Sequence, residues 1–109
     1  MDKQIRIAAE TFIDRASEKY DVLSAKIFGS RARDDAHSES DLDIAVFLKG
    51  NRGDFLRTKL ALADIAYDIL LEQELLIDPL PVWEDERLRP SEYSNPFLLE
   101  NIDREGISL

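Results

Sequence analysis

Cysteine is absent from the 109 residues, which excludes a disulfide framework, thiolate zinc sites and thiol catalysis. Positive charge is scarce: 14 Lys and Arg face 23 Asp and Glu, a net charge of -9. A nucleic-acid backbone is held by basic side chains that neutralise its phosphates. Direct nucleic-acid binding and template-directed work are therefore disfavoured, and a basic protein partner or small-molecule chemistry is favoured. No apolar run approaches the ~18 residues of a membrane span, and Met1-Asp2-Lys3-Gln4 opens no apolar signal region. The expectation is a soluble, cytoplasmic protein without membrane contact. Four glycines and four prolines make no low-complexity tract or linker, and the chain has no internal repeat. His37, the one histidine, lies in a polar stretch where a lone histidine is ordinarily solvated and nothing places two further ligands near it, and it is assigned no role.

What is present suffices for one core. Hydrophobic residues make up 44% of the chain, and the length fits a single domain over residues 1–109. A domain this small is only marginally self-sufficient, so size alone makes assembly plausible, with a partner or as a dimer.

Ile5, Ala8, Ala9, Phe12, Ile13 and Ala16 form the apolar stripe of an amphipathic helix over roughly residues 2–18. Asp21 to Phe28, stopped by Gly29, reads as a strand with Leu23, Ala25 and Ile27 on one face. Ser30 to Ala36 suits a short helix, and residues 37–40 a turn. A second strand follows over Asp41 to Leu48, with Leu42, Ile44, Val46 and Leu48 on one face and Asp41, Asp43, Ala45 and Phe47 on the other. After a loop at residues 49–53, Leu56, Leu60, Ala63, Tyr67 and Leu70 mark the longest helix, about Asp54 to Leu71, broadened by Leu62, Ile65, Ala66 and Ile69. Leu75 to Val82 reads as a third strand, and Pro79 and Pro81 assign it to an edge because they cannot donate ladder hydrogen bonds. Glu84 to Glu86 reads as a solvated loop. A last helix after Ser94-Asn95-Pro96 holds Phe97, Leu98 and Ile102 and ends at Gly106. The order αβαβαβα indicates an α/β (α+β) sandwich.

The chemistry lies at two strand ends. Gly29-Ser30 closes the first strand, ten residues follow, and Asp41-Leu42-Asp43 opens the second. Positions two apart on a strand share a face, so both carboxylates converge. Two anions held together resist joint ionisation unless a cation lies between them, and hard oxygen ligands suit Mg²⁺ or Mn²⁺. Glycine lets a backbone approach a phosphate closely. The Ser30 hydroxyl and the free N–H groups of the following helix are donors for phosphate oxygens. A triphosphate cradle and a metal site thus lie side by side. The bland reading of Asp41 and Asp43, carboxylates of a solvated turn, weakens once Gly29-Ser30 stands at this spacing. Arg31 and Arg33 remain open between phosphate clamps and surface ion-pair partners. Trp83, Tyr20 and Tyr67 are read as core or interface residues.

Phe28-Gly29-Ser30-Arg31-Ala32-Arg33, followed by Ser40-Asp41-Leu42-Asp43-Ile44-Ala45-Val46, resembles the minimal nucleotidyltransferases of the DNA polymerase beta-like superfamily. The ending Asn95 to Ile107 also looks like the tail of these small proteins, an argument against truncation of a longer enzyme. The resemblance implies a mixed sheet flanked by helices and transfer of a nucleotide from a nucleoside triphosphate, most simply ATP, assisted by two Mg²⁺ ions. Carried over, Asp41 and Asp43 would hold the metals, and Gly29 with Ser30 the triphosphate. The family expects a third acid on the strand after the long helix, which Asp78 matches; its implied role is to hold the catalytic metal and help deprotonate the attacking hydroxyl. The resemblance also implies a HEPN-domain RNase toxin as partner, with this chain as the antitoxin that adenylylates a toxin tyrosine (AMPylation). One departure stands out: the family commonly has Gly after the second Arg, where this chain has Asp34. That acid either weakens nucleotide binding or faces solvent. The rival functions are a non-catalytic antitoxin that acts by binding, and a dimeric small-molecule nucleotidyltransferase.

Overall fold

A computed structural model of the chain describes residues 2–34 and 40–109. Helix α1 spans Lys3–Ser17, and Asp2 caps it by accepting a hydrogen bond from the Gln4 N–H at 2.7 Å. Strand β1 is Val22–Phe28 and β2 is Leu42–Leu48; they pair antiparallel. Helix α2 runs from Phe55 to Gln73, capped by the Asp54 carboxylate, and leads into β3, Ile77–Trp83, which pairs with β2 in parallel. Helices α3 (Glu84–Leu88) and α4 (Pro96–Glu105) follow, and a two-residue strand β4, Ile107–Ser108, returns to pair with β1. The sheet order is β3-β2-β1-β4, a mixed sheet between two helical layers, as the sequence indicated.

Strand β2 lies inside the sheet, and its alternation divides the core in two. Leu42, Ile44, Val46 and Leu48 pack with Phe12 of α1 and with Leu62, Ile65 and Ile69 of α2. Ala45 and Phe47 face the other way, onto Leu99 and Ile102 of α4. Burying a side chain such as Phe12 contributes roughly 1.5–3 kcal/mol. Arg15 of α1 reaches Glu72 of α2 with two guanidinium N–H bonds of 2.6 and 2.9 Å, linking at the surface two helices whose apolar faces share one core. Pro79 and Pro81 stand opposite Ile44 and Val46 in β3, which is an edge strand.

Several expectations are corrected. The helix placed at Ser30 to Ala36 is a single 3-10 turn, Gly29–Arg31, then a turn that reaches Asp34 in left-handed backbone. That reversal ends helical φ/ψ, so the dipole argument for phosphate binding lapses; Asp35, Ala36 and the turn around His37 lie outside the described residues. Leu23 is exposed because the β1–β2 register shifts between Val22 and Ser24. Of the two apolar sets on α2, Leu62, Ile65, Ala66 and Ile69, with Thr58, face the sheet, whereas Leu56, Leu60 and Tyr67 face outward. Glu84 to Glu86 form the first turn of α3, where carboxylates suit a helix N-terminus. In α4 the buried residues are Leu99 and Ile102, and Phe97 is exposed. Strand β4 and a 3-10 turn at Pro90–Glu92 had no counterpart in the sequence reading. No helix among the described residues is long and apolar enough to cross a membrane.

Candidate active site

Gly29 ends β1 with φ 74°, a left-handed conformation that a side chain disfavours. The position is also tight. A Cβ there would lie 2.3 Å from the Oδ2 of Asp43, so the backbone after β1 presses directly on that carboxylate. Asp43 stands opposite Phe28 in the antiparallel pairing and opposite Asp78 in the parallel one. Since facing residues in a ladder project to the same side, Asp43 and Asp78 share a face, and Asp41 precedes Asp43 by two residues at the entrance to β2.

Asp43 is half-buried, and its carboxyl titrates above the ordinary aspartate range. Burial is the main cause, the negative charges of Asp78 and Asp41 add to it, and Arg33 and Lys59 oppose it. The three carboxylates are therefore near enough to repel one another. Asp78 already has a cation: Lys59 of α2 donates to its Oδ1 at 3.2 Å and to the Pro79 carbonyl at 2.7 Å. Sequence reasoning gave Lys59 no role; on a helix that also carries Arg57, Asp64, Asp68 and Glu72, one more charged residue gave no signal of its own.

Gly29 and Ser30 lie at the β1 end of this face. The Gly29 carbonyl accepts from the N–H groups of Ala32 and Arg33, at 3.1 Å each, which folds the motif back on itself. The Ser30 hydroxyl makes no hydrogen bond to the described residues and stays available to a ligand. Arg31 is committed within the chain: its Nε and a terminal N–H donate to the Ser40 carbonyl at 3.1 and 2.7 Å. It thereby ties the Gly-Ser motif to the residue ahead of Asp41, the place of a positioning residue. Arg33 lies 3.8 Å from Glu105 and also acts electrostatically on Asp43. Asp34, the departure from the expected glycine, is exposed with φ 61°. Asp is one of the few residues that tolerates the left-handed region, which accounts for an aspartate at a position where the resemblance led to an expectation of glycine. The remaining wall is a groove of ≈ 400 Å³ between α2 and β3, lined by Asp41, Lys59, Tyr67, Leu76 and Asp78 among others. Tyr67 is thus a groove residue, not a core one, whereas Trp83 is buried.

Among the described residues no three His, Cys, Asp or Glu side chains stand close enough to form a ready metal cage. The donor set still fits a hard divalent cation. It is all carboxylate oxygen, it is centred on a half-buried group whose charge is disfavoured, and neither Asp41 nor Asp43 accepts a hydrogen bond from the described residues. Binding there would relieve the repulsion and would compete with Lys59 for Asp78.

The sequence profile described as "Polymerase beta, Nucleotidyltransferase" matches residues 10–108. A crystal structure from Sulfolobus solfataricus, assigned by name to the nucleotidyltransferases, is similar at 25% identity and a TM-score of 0.58, covering 79% of this chain and 75% of that one. A crystal structure of a toxin-antitoxin with AMP-PNP shares the fold, with a TM-score of 0.60 at 19% identity over 91% of this chain and 70% of that one. No curated protein matches the chain significantly.

Proposed function

The chain belongs to the polymerase beta nucleotidyltransferase family, and from that premise we propose that it is a metal-dependent protein adenylyltransferase. In this reading it moves AMP from ATP onto a tyrosine hydroxyl of a HEPN-domain toxin in the cytoplasm and so acts as the antitoxin of the pair. The observation that carries the chemistry is the Asp43 carboxylate, held between Gly29 and Asp78 with its ionised form disfavoured. Asp41, Asp43 and Asp78 are the residues that would hold two Mg²⁺ ions, with Mn²⁺ as a substitute. When bound, such ions neutralise charge on the triphosphate and on the attacking and leaving oxygens.

The chain's own residues carry the remaining tasks. The Ser30 hydroxyl, with the Gly29 backbone, binds triphosphate oxygens. Arg31 keeps the Gly-Ser motif in register with Asp41 through the Ser40 carbonyl, and Arg33 adds positive charge on the same side. Asp78 receives the proton of the acceptor hydroxyl. The acceptor oxygen then bonds to the α-phosphorus, the bond from that phosphorus to the bridging oxygen breaks, and pyrophosphate leaves. The toxin-antitoxin neighbour with AMP-PNP supports the nucleotide and the partner only through a shared fold.

Intact-mass analysis of the co-purified partner, with ATP and Mg²⁺, tests the proposal. An AMP increment on the partner that disappears in Asp41→Asn/Asp43→Asn supports it. A partner that is bound and inhibited but unmodified would make the chain a binding module instead.

A further inference from the structure

One face of helix α2 has no partner among the described residues. Leu56, Leu60, Tyr67 and Leu71 are each more than half exposed, and their spacing of four, seven and four places them in one stripe along the helix. Scattered exposed leucines are ordinary, but a contiguous apolar stripe marks an interaction surface. Leu76, also exposed, continues it onto the start of β3. The stripe runs into the carboxylate site itself, because Tyr67 and Leu76 share a groove with Asp41 and Asp78.

Charge says what covers it. Asp41 and Asp78 border the stripe on the β3 side, and the exposed Asp64 and Asp68 border it on the other. Of the nearby cations, Lys59 is engaged by Asp78 and Arg15, which also feels Asp68, is engaged by Glu72, which leaves Arg57 as the minority charge. A second copy would set the same acidic border against itself, with each chain at a net charge of -9. A foreign surface with an apolar centre and a border of Lys and Arg meets both features. We infer that the exposed face of α2 is the docking surface for the acceptor protein, a partner with a basic-rimmed apolar patch, seated so that its hydroxyl reaches over the groove to Asp41 and Asp78. This inference rests on the transferase reading above and adds to it the surface that selects the acceptor.

The test uses the full chain, radiolabelled ATP and Mg²⁺ in a lysate of the source cells. Wild type is expected to label one protein, and Asp41→Asn/Asp43→Asn to label none. Leu56→Glu/Leu60→Glu is expected to lower that label at least tenfold while binding a fluorescent ATP analogue as wild type does. Both leucines are exposed, and glutamate has a helix propensity close to that of leucine, so the fold is kept. Leu88→Glu, at a still more exposed position on α3, is expected to label normally. Undiminished labelling by the α2 variant would overturn the inference and leave the transferase reading intact. Absence of any label with wild type would remove the transferase reading, and the inference with it. Sedimentation closes the last alternative: a wild-type dimer that Leu56→Glu/Leu60→Glu converts to monomer would show that a second copy covers α2, and would also overturn it.

Discussion

Gly29 and Asp43 occupy each other's limits: a Cβ on the glycine would lie 2.3 Å from the aspartate Oδ2. The Gly29→Ala variant therefore meets two penalties. Left-handed backbone costs an L-residue roughly 1–2 kcal/mol, and the methyl group must displace the carboxylate proposed to carry the chemistry. The expectation is a stability loss of about 1–3 kcal/mol together with a loss of transfer of at least tenfold. Gly50→Ala is the control, since Gly50 also has positive φ, 87°, but open space around it. Chemical denaturation and a transfer assay on both variants separate backbone strain from displacement of Asp43. Equal activity in the two variants would refute the displacement argument.

The raised pKa of Asp43 makes a signed prediction for the metal-free protein. Its folded pKa lies above the unfolded value because burial and the neighbouring Asp78 and Asp41 disfavour the charge. Above both values the ionised carboxylate therefore opposes folding, and this cost disappears as pH falls through the folded pKa towards the unfolded one. In chelator at neutral pH, Asp43→Asn is expected to melt higher than wild type, and the gap to close on acidification. Mg²⁺ or Mn²⁺ is expected to raise the melting temperature of wild type and not that of the variant. A variant less stable than wild type in chelator would show that the charge is not under strain.

Much of this site was legible because strand geometry converts spacing into direction. The two-residue period of β2 placed Asp41 and Asp43 with Ala45 and Phe47, away from Leu42 and Ile44, and the prolines assigned β3 to an edge. The packing of α2 was not legible. Its apolar residues cover more than half of the circumference, so periodicity announces a helix without choosing which side meets the sheet; the sheet takes Leu62, Ile65 and Ile69 and leaves Leu56, Leu60 and Tyr67 outside. Strand β4 escaped because two residues carry no pattern. Lys59 on Asp78 and Gly29 against Asp43 escaped because contacts between elements depend on register and on the rotation of a helix, and neither is written in local spacing.

Lys59 holds a positive charge against Asp78 at 3.2 Å, where an incoming divalent cation would find a competitor. Removing it in Lys59→Met keeps a similar stem along the groove and frees the carboxylate. Repulsion between like charges at a few ångströms in a partly exposed site is on the order of 1 kcal/mol. Mn²⁺ is thus expected to bind about fivefold more tightly to the variant, by calorimetry or electron paramagnetic resonance. Weaker binding would give the opposite role, a lysine that orients Asp78 for the metal.

Asp34 separates conformation from charge. At φ 61° and exposed to solvent, it carries a backbone cost that glycine would not, partly offset by the greater freedom that glycine has when unfolded. Asp34→Gly is expected to gain about 0.5 kcal/mol on balance, a rise of roughly 2–4 °C in melting temperature for a domain of this size. Asp34→Asn removes the same charge but keeps a side chain of nearly the same shape and the same tolerance of left-handed backbone, so its melting temperature should not change. The two variants then agree or disagree on nucleotide binding for one reason only. The exposed carboxylate points to equal ATP affinity in wild type, Asp34→Gly and Asp34→Asn, measured by titration with a fluorescent ATP analogue. If both variants instead bound ATP more tightly by the same factor, Asp34 would be repelling the triphosphate, and the departure from glycine would act on the ligand as well as on the turn.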